Sequence, residues 1–186
     1  MSVRIVETPG LIISLEDMKI YLNVTHSDHD DMIESLIYTA QQVIEHNADA
    51  SFVDQTLEYT VDEFTSPIRL PRIPFADASV SIESVIYEDA DGDDQTIDAD
   101  NYRLVGADLY PVSGYDWPTP SETPGSIRIT YTVGAQDVPH VTIQAARLMV
   151  TDMYDTRSST VPGQRAKVDH AATIPNLLAT VKNWSV

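Results

Sequence analysis

Apolar side chains along this chain keep two different periods. From Leu15 to Ile44 they return every three or four residues. From Leu57 to Val133 they mostly alternate. After Pro139 the helical spacing resumes. In "ISLEDMKIYLNV", Leu15, Met18, Tyr21 and Leu22 share one helix face, and Ser14 is placed to cap it with Asp17 three residues on. In "THSDHDDMIESLIYTAQQVIEHNADA", a longer helix is predicted, capped by Ser27 or Thr25, with Asp28, Asp30 and Asp31 where the helix dipole favours acids. Its apolar stripe is Met32, Ile33, Leu36, Ile37, Ala40, Val43 and Ile44, with Glu34, Gln41, Gln42 and Glu45 outside it and Asn47 closing the helix.

The alternating part begins with "TLEYTVDEF", where Leu57, Tyr59 and Val61 point one way and Glu58, Thr60 and Asp62 the other. Pro67, Pro71 and Pro74 confine "IRLPRIPF" to a sheet edge or an extended crossing. "SVSIESVIYE" is a strand whose alternation slips at Glu83-Ser84, which predicts a bulge. "QTID" and "NYRLV" read as short return strands. "SIRITYTV" sends Ile127, Ile129, Tyr131 and Val133 inward and Arg128, Thr130 and Thr132 outward. In "VPHVTIQAARLMVTDMYDTR", Pro139 suits a first helical turn. Val141, Ala145, Ala146, Leu148, Met149 and Met153 form the apolar face, opposite Gln144, Arg147, Thr151 and Asp155. "SSTVPGQRAKVDHAAT" has loop composition, and "IPNLLATVKNWSV" predicts a short tail helix.

The pattern predicts an α+β fold. Its frame is a helical bundle of two N-terminal helices, one long C-terminal helix and a short tail helix, with an inserted antiparallel β domain. The boundaries read 1–52 for the N-terminal helical part, 53–136 for the β domain, and 137–186 for the C-terminal helix and tail, the helical parts sharing one core.

Charge changes the picture most. The 186 residues carry 29 acids against 11 Lys and Arg, a net charge of −18. Such a surface repels phosphate backbones and argues against tight nucleic-acid binding, while suiting a passage through which DNA slides. The same acidity fits solubility in concentrated salt. There is no cysteine, which removes disulfides, thiolate nucleophiles and Cys-based zinc sites. No apolar run is long enough to span a bilayer, and the N-terminal stretch lacks the apolar centre of a secretion signal.

Candidate chemistry is sparse. "EDADGDDQ" groups carboxylates around Gly92, but an EF-hand register puts Tyr87, Asp94 and Asp98 where the loop needs an acid, an apolar residue and Glu. Asp91-Gly92 between two strands reads instead as a hairpin turn. His26 and His29 stand near three aspartates, but three residues apart rather than the four usual for two ligands on one helix face. His46, His140 and His170 are scattered. Ser113-Gly114 lacks the first glycine of a nucleophile elbow. No phosphate-binding glycine motif is present. In "YDWPTPSETPG", Trp117 sits in a proline-rich loop expected to pack on its own sheet. No catalytic, metal or cofactor-binding residue is assigned.

Several motifs, in order, carry a resemblance: "ISLEDMKIYLNV…DHDDMIESLIYTAQQVIE", "QTLEYTVDEF…IRLPRIPF", "SVIYEDADGDDQTIDADNYRL", "GSIRITYTVG" and "VPHVTIQAARLMVTDMYDTR". Together they resemble the head–tail connector (adaptor, head-completion) proteins of long-tailed phages. The resemblance implies a structural virion protein without enzymatic activity or cofactor. It implies a ring, typically of twelve copies, beneath the portal protein, joined to a tail-side stopper or tail-terminator and lining the DNA channel. DNA would pass without specific binding, no membrane would be involved, and assembly would take place in the host cytoplasm. The apolar positions of the tail, Leu177, Leu178, Val181 and Trp184, are the candidate portal-docking residues. Another virion module, such as a tail-terminator or host-binding protein, is the alternative, against which the helical frame argues. A small metal-dependent hydrolase lacks any convergent motif.

Overall fold

A computed structural model describes residues 2–7, 9–73, 78–135 and 137–156, with Asn176 and Ala179. In chain order the elements are β1 (Ser2–Ile5), α1 (Leu15–Leu22), α2 (Asp30–Ala48), β2 (Gln55–Val61), β3 (Ile68–Arg69), β4 (Ala78–Glu88) and β5 (Asp94–Thr96). A 3₁₀ turn (Ala99–Asn101), β6 (Tyr102–Val105), β7 (Asp108–Pro111), β8 (Ile127–Ala135) and α3 (His140–Thr156) follow. They fall into two compact units. One comprises Met1–Pro9 and Asp54–Gln136, the other Gly10–Val53 and Asp137–Val186.

The helical unit starts where the capping pattern places it. Ser14 Oγ accepts the Asp17 N–H at 3.1 Å and donates to the Asp17 carboxylate at 2.7 Å. Asn23 turns left-handed at φ 57° and ends α1, and Asp49 does the same for α2 at φ 51°. Ile33, Ile37, Ala40, Ile44 and Ala48 of α2 are buried against Met18, Ala145, Ala146 and Val150. Each large aliphatic side chain taken from water there contributes about 1.5–3 kcal/mol.

The sheet unit holds two antiparallel sheets. The larger has the order β1-β2-β8-β4-β5 and the smaller β3-β7-β6. Central β8 pairs β2 from Gln55↔Val133 to Val61↔Ile127. It pairs β4 from Ala78↔Ala135 to Tyr87↔Ile127, with a register shift between Ile82 and Ser84, where the alternation slips. Leu57, Val85, Ile127, Ile129, Tyr131 and Val133 of the large sheet are buried in one cluster with Ile68 and Leu109 of the small one. Tyr131 Oη donates to the Pro71 carbonyl at 2.8 Å, so its phenol is satisfied inside that core.

Several expectations are corrected. The fold is not a helical bundle frame with one long C-terminal helix and one inserted β domain, and α+β describes it only loosely. Among the described residues there are three helices longer than a turn, of which α2, with 19 residues, is longer than α3, with 17, and the strands form two sheets. The physical reason is that the strands carry a core of their own. Two strands were also invisible to periodicity: "SVRI" and "DLYP" are four residues each, too short to display an alternation. Of the expected tail helix only Asn176 and Ala179 are described. Leu177, Leu178, Val181, Trp184 and His170 lie outside the described residues.

Local readings shift too. His29, not Ser27 or Thr25, is the N-cap residue of α2, and its side chain makes no capping bond. Gln41 and Glu45 are buried, while Val43 is 40% exposed. On α3 the buried positions are Thr142, Ala145, Ala146 and Val150, so the face is rotated away from Val141 and Leu148.

Candidate interaction surfaces

Buried Gln41 and Glu45 prove to be structural. Gln41 Oε1 accepts the Ile12 N–H at 2.9 Å, and Glu45 Oε1 accepts the Phe52 N–H at 2.9 Å. Two polar side chains of one helix thus satisfy buried backbone donors of the segments entering and leaving the α1–α2 pair. The signal was present in the sequence only as two polar residues at i and i+4 beside the apolar stripe.

Asp91 and Gly92 lie in the connection between β4 and β5, whose last pair is Glu88↔Asp94. Gly92 adopts φ 87°, a conformation that a side chain would strain. The organiser is Asp89. Its Oδ1 accepts the N–H groups of Asp91 and Asp93, each at 3.0 Å, and its Oδ2 accepts the Gln95 amide at 2.7 Å. The Gln95 bond first, then the backbone donors, hold its carboxyl below the ordinary 3.8. Its oxygens are directed at its own loop. Among the described residues, no three His, Asp or Glu side chains are grouped as a metal site would require.

His26 and His29 lie edge to face, with ring centroids 4.7 Å apart, and His29 Nδ1 is 2.8 Å from Tyr154 Oη on α3. The pair therefore joins the start of α2 to the end of α3. His46 and His140 stand at other places on the helices, away from this pair in the chain.

Trp117 stacks on Phe64 at 4.9 Å and 10°, with Tyr115 and Tyr87 meeting this pair edge-on. The proline-rich loop is pinned by Ser121, whose Oγ donates to Glu88 at 2.7 Å, and by the Gly125 N–H on Asp62 at 2.7 Å. It packs on its own sheet, as its composition suggested. Ser113-Gly114 forms a turn after β7.

Two further surface features stand out among the described residues. On α1, Ile20 is 69% exposed beside Tyr21, whose ring carries the Arg147 guanidinium at 5.4 Å. On α2, Asp31, Glu34, Ser35, Tyr38, Thr39 and Gln42 line a shallow, open groove along three turns.

Comparison with known proteins is informative at this point. Residues 12–90 match the profile of the phage gp6-like head–tail connector proteins. No curated protein matches the chain. Among solved structures, a chain of the virion of a native gene transfer agent particle is 18% identical with a TM-score of 0.73, covering 100% of this chain and 97% of that one. A chain of the neck of the empty particle, computed with C6 symmetry, is 16% identical with a TM-score of 0.68, covering 100% and 97%. One of the neck of the native particle, computed with C12 symmetry, is 15% identical with a TM-score of 0.66, covering 97% of each. The fold is thus shared over the whole chain, and from α1 to the turn after β4 the sequence is similar to that of the phage gp6-like head–tail connector family.

Proposed function

We propose that this chain is a structural virion protein, a head–tail connector that forms a ring at the neck of a phage-like particle, beneath the portal protein. The carrying observation is the match of residues 12–90 to the connector family in a chain whose whole fold is shared with proteins of such particles. Symmetry in two of those neck structures supports a ring. A ring needs heterologous contacts, one face of each copy meeting a different face of the next. Two units with separate cores supply distinct faces.

The matched family is structural, and we assign no catalytic chemistry or cofactor. DNA passes through the ring. A net charge of −18 keeps its phosphates from sticking. On the head side we assign docking on the portal to Leu177, Leu178, Val181 and Trp184, because a short apolar segment gains order chiefly by binding. On the tail side the ring meets a stopper or tail-terminator.

Deleting the gene from a particle-producing cell tests the reading. The expected result is DNA-filled heads and separate tails that fail to join. Normal tailed particles would overturn it.

A further inference from the structure

We propose that the outer face of the smaller sheet, β3-β7-β6, is the surface by which one copy of this chain holds an acidic surface of the next copy. The inference rests on the ring reading above and deepens it by naming the face. Strand register defines that face. Arg69 of β3 stands opposite Asp108 of β7, Val105 of β6 opposite the same Asp108, and Arg103 of β6 opposite Tyr110. Residues directly opposite one another, and residues two apart along a strand, share a face. Arg69, Arg103, Val105, Asp108 and Tyr110 therefore lie on one side of the sheet. The other side carries Ile68, Leu104 and Leu109, which pack into the core of the sheet unit. The arginine side is thus turned away from that core.

This side is net +1, two arginines against one acid, on a chain of net −18. Residues 68–73 and 102–111, which build the sheet, hold Arg69, Arg72 and Arg103 against Asp108 alone, so 3 of the 11 Lys and Arg and 1 of the 29 acids. Arg103 is exposed and makes no ion pair among the described residues. Arg69 meets Asp108 through one nitrogen at 3.3 Å and stays 60% exposed, so its guanidinium keeps donors for a second carboxylate. Val105, two residues from Arg103, leaves its apolar side chain 54% exposed. Arginine and tyrosine beside an uncovered aliphatic side chain are what a protein interface is enriched in. Other described cations are spent within their own units: Arg4 on Glu58, Lys19 on Asp30, Arg128 on Asp94, and Arg147 over Tyr21.

The chemistry selects a carboxylate-bearing protein surface over DNA. Holding a duplex backbone takes several cations presented together, whereas here Asp108 stands among them and Val105 offers nothing to a phosphate. Charge then selects a second copy. Bodies this acidic repel when set side by side, and a ring sets them side by side. Contact through this face puts arginines against the carboxylates that every copy has in excess. It also decides the kind of contact. Two such faces turned on each other would oppose arginine to arginine, so the face meets a different, acidic surface. One patch giving and another receiving is the heterologous contact that a closed ring requires.

Photo-cross-linking in particles tests the face. Val105 is replaced by the photoreactive p-benzoylphenylalanine in the full-length chain, which is produced beside the unaltered chain, and DNA-filled particles are irradiated. The expected product joins two copies, from position 105 of one to an Asp- or Glu-bearing surface segment of the other. A link to the portal, to a tail protein or to DNA overturns the proposal, as does a link from one smaller sheet to another, or no link. Competition tests the charge. Arg103→Glu, produced with the unaltered chain, should enter particles about tenfold less, the size of one or two exposed ion pairs turned to repulsion. Arg103→Lys should keep its share. So should Ser35→Glu with Thr39→Glu, which adds the same charge to α2. Full entry of Arg103→Glu overturns the proposal, and so does an equal loss of the α2 variant. Particles without any copy of the chain sink the ring reading and the face with it. Particles that hold the chain but link it elsewhere sink the face alone.

Discussion

Gln41, Glu45 and Asp89 have one thing in common: each accepts a backbone N–H group with a side-chain oxygen. Replacing Glu45 by leucine leaves the Phe52 N–H buried without this acceptor and should lower unfolding free energy by about 1–3 kcal/mol, with Glu45→Gln losing less. A urea titration of both variants checks the order. A leucine variant as stable as the glutamine one would mean the bond carries no weight. Asp89 makes a pH prediction. Its folded carboxyl titrates below the ordinary 3.8, so its support for the hairpin is complete above that value and is lost as pH falls through the folded one. Amide exchange at Asp91 and Asp93 should therefore accelerate only in acid. Asp89→Ala should speed it about tenfold at neutral pH, the size of one lost hydrogen bond. Unchanged exchange in that variant would remove Asp89 as organiser.

At the scale of elements, β8 meets the start of β2 so closely that Gly134 has no room for a side chain. An added Cβ would run into the Asp54 carboxylate and come within 2.9 Å of the Asp54 backbone. Gly134→Ala should cost about 1–3 kcal/mol, read as a lowered thermal midpoint. A midpoint equal to that of the unaltered chain would show that the strand end yields freely. Elements long enough to repeat their period were legible beforehand. β8 alternates over nine residues and α2 carries its stripe over nineteen. β1 and β7, at four residues, were not, and without them the sheet unit was read as one insert rather than two sheets. The start of α2 was misplaced because four capping residues crowd 25–30, and local preference does not choose among them. The polar partners Gln41 and Glu45 were set outside the stripe because periodicity sorts by polarity, while burial here follows the unsatisfied N–H groups of distant segments. As for surfaces, the sequence showed the charge but not the groove along α2.

At the scale of the molecule, net charge governs. A chain at −18 repels itself, and concentrated salt shortens the reach of that repulsion from about 10 Å at 0.1 M to about 3 Å at 1 M. The thermal midpoint should rise between dilute and molar sodium chloride. A fall would mean that the four described Lys and Arg ion pairs outweigh self-repulsion. In the proposed ring the same acids would accumulate copy by copy. The central claim is that this chain is a connector matched to the portal. Quantitative mass spectrometry of purified, DNA-filled particles tests it most directly, by comparing copies of this chain with copies of the portal protein. A ratio near that of two matched rings, about one to one, is the predicted result. Absence from the particle, or a copy number far from the portal's, would contradict it.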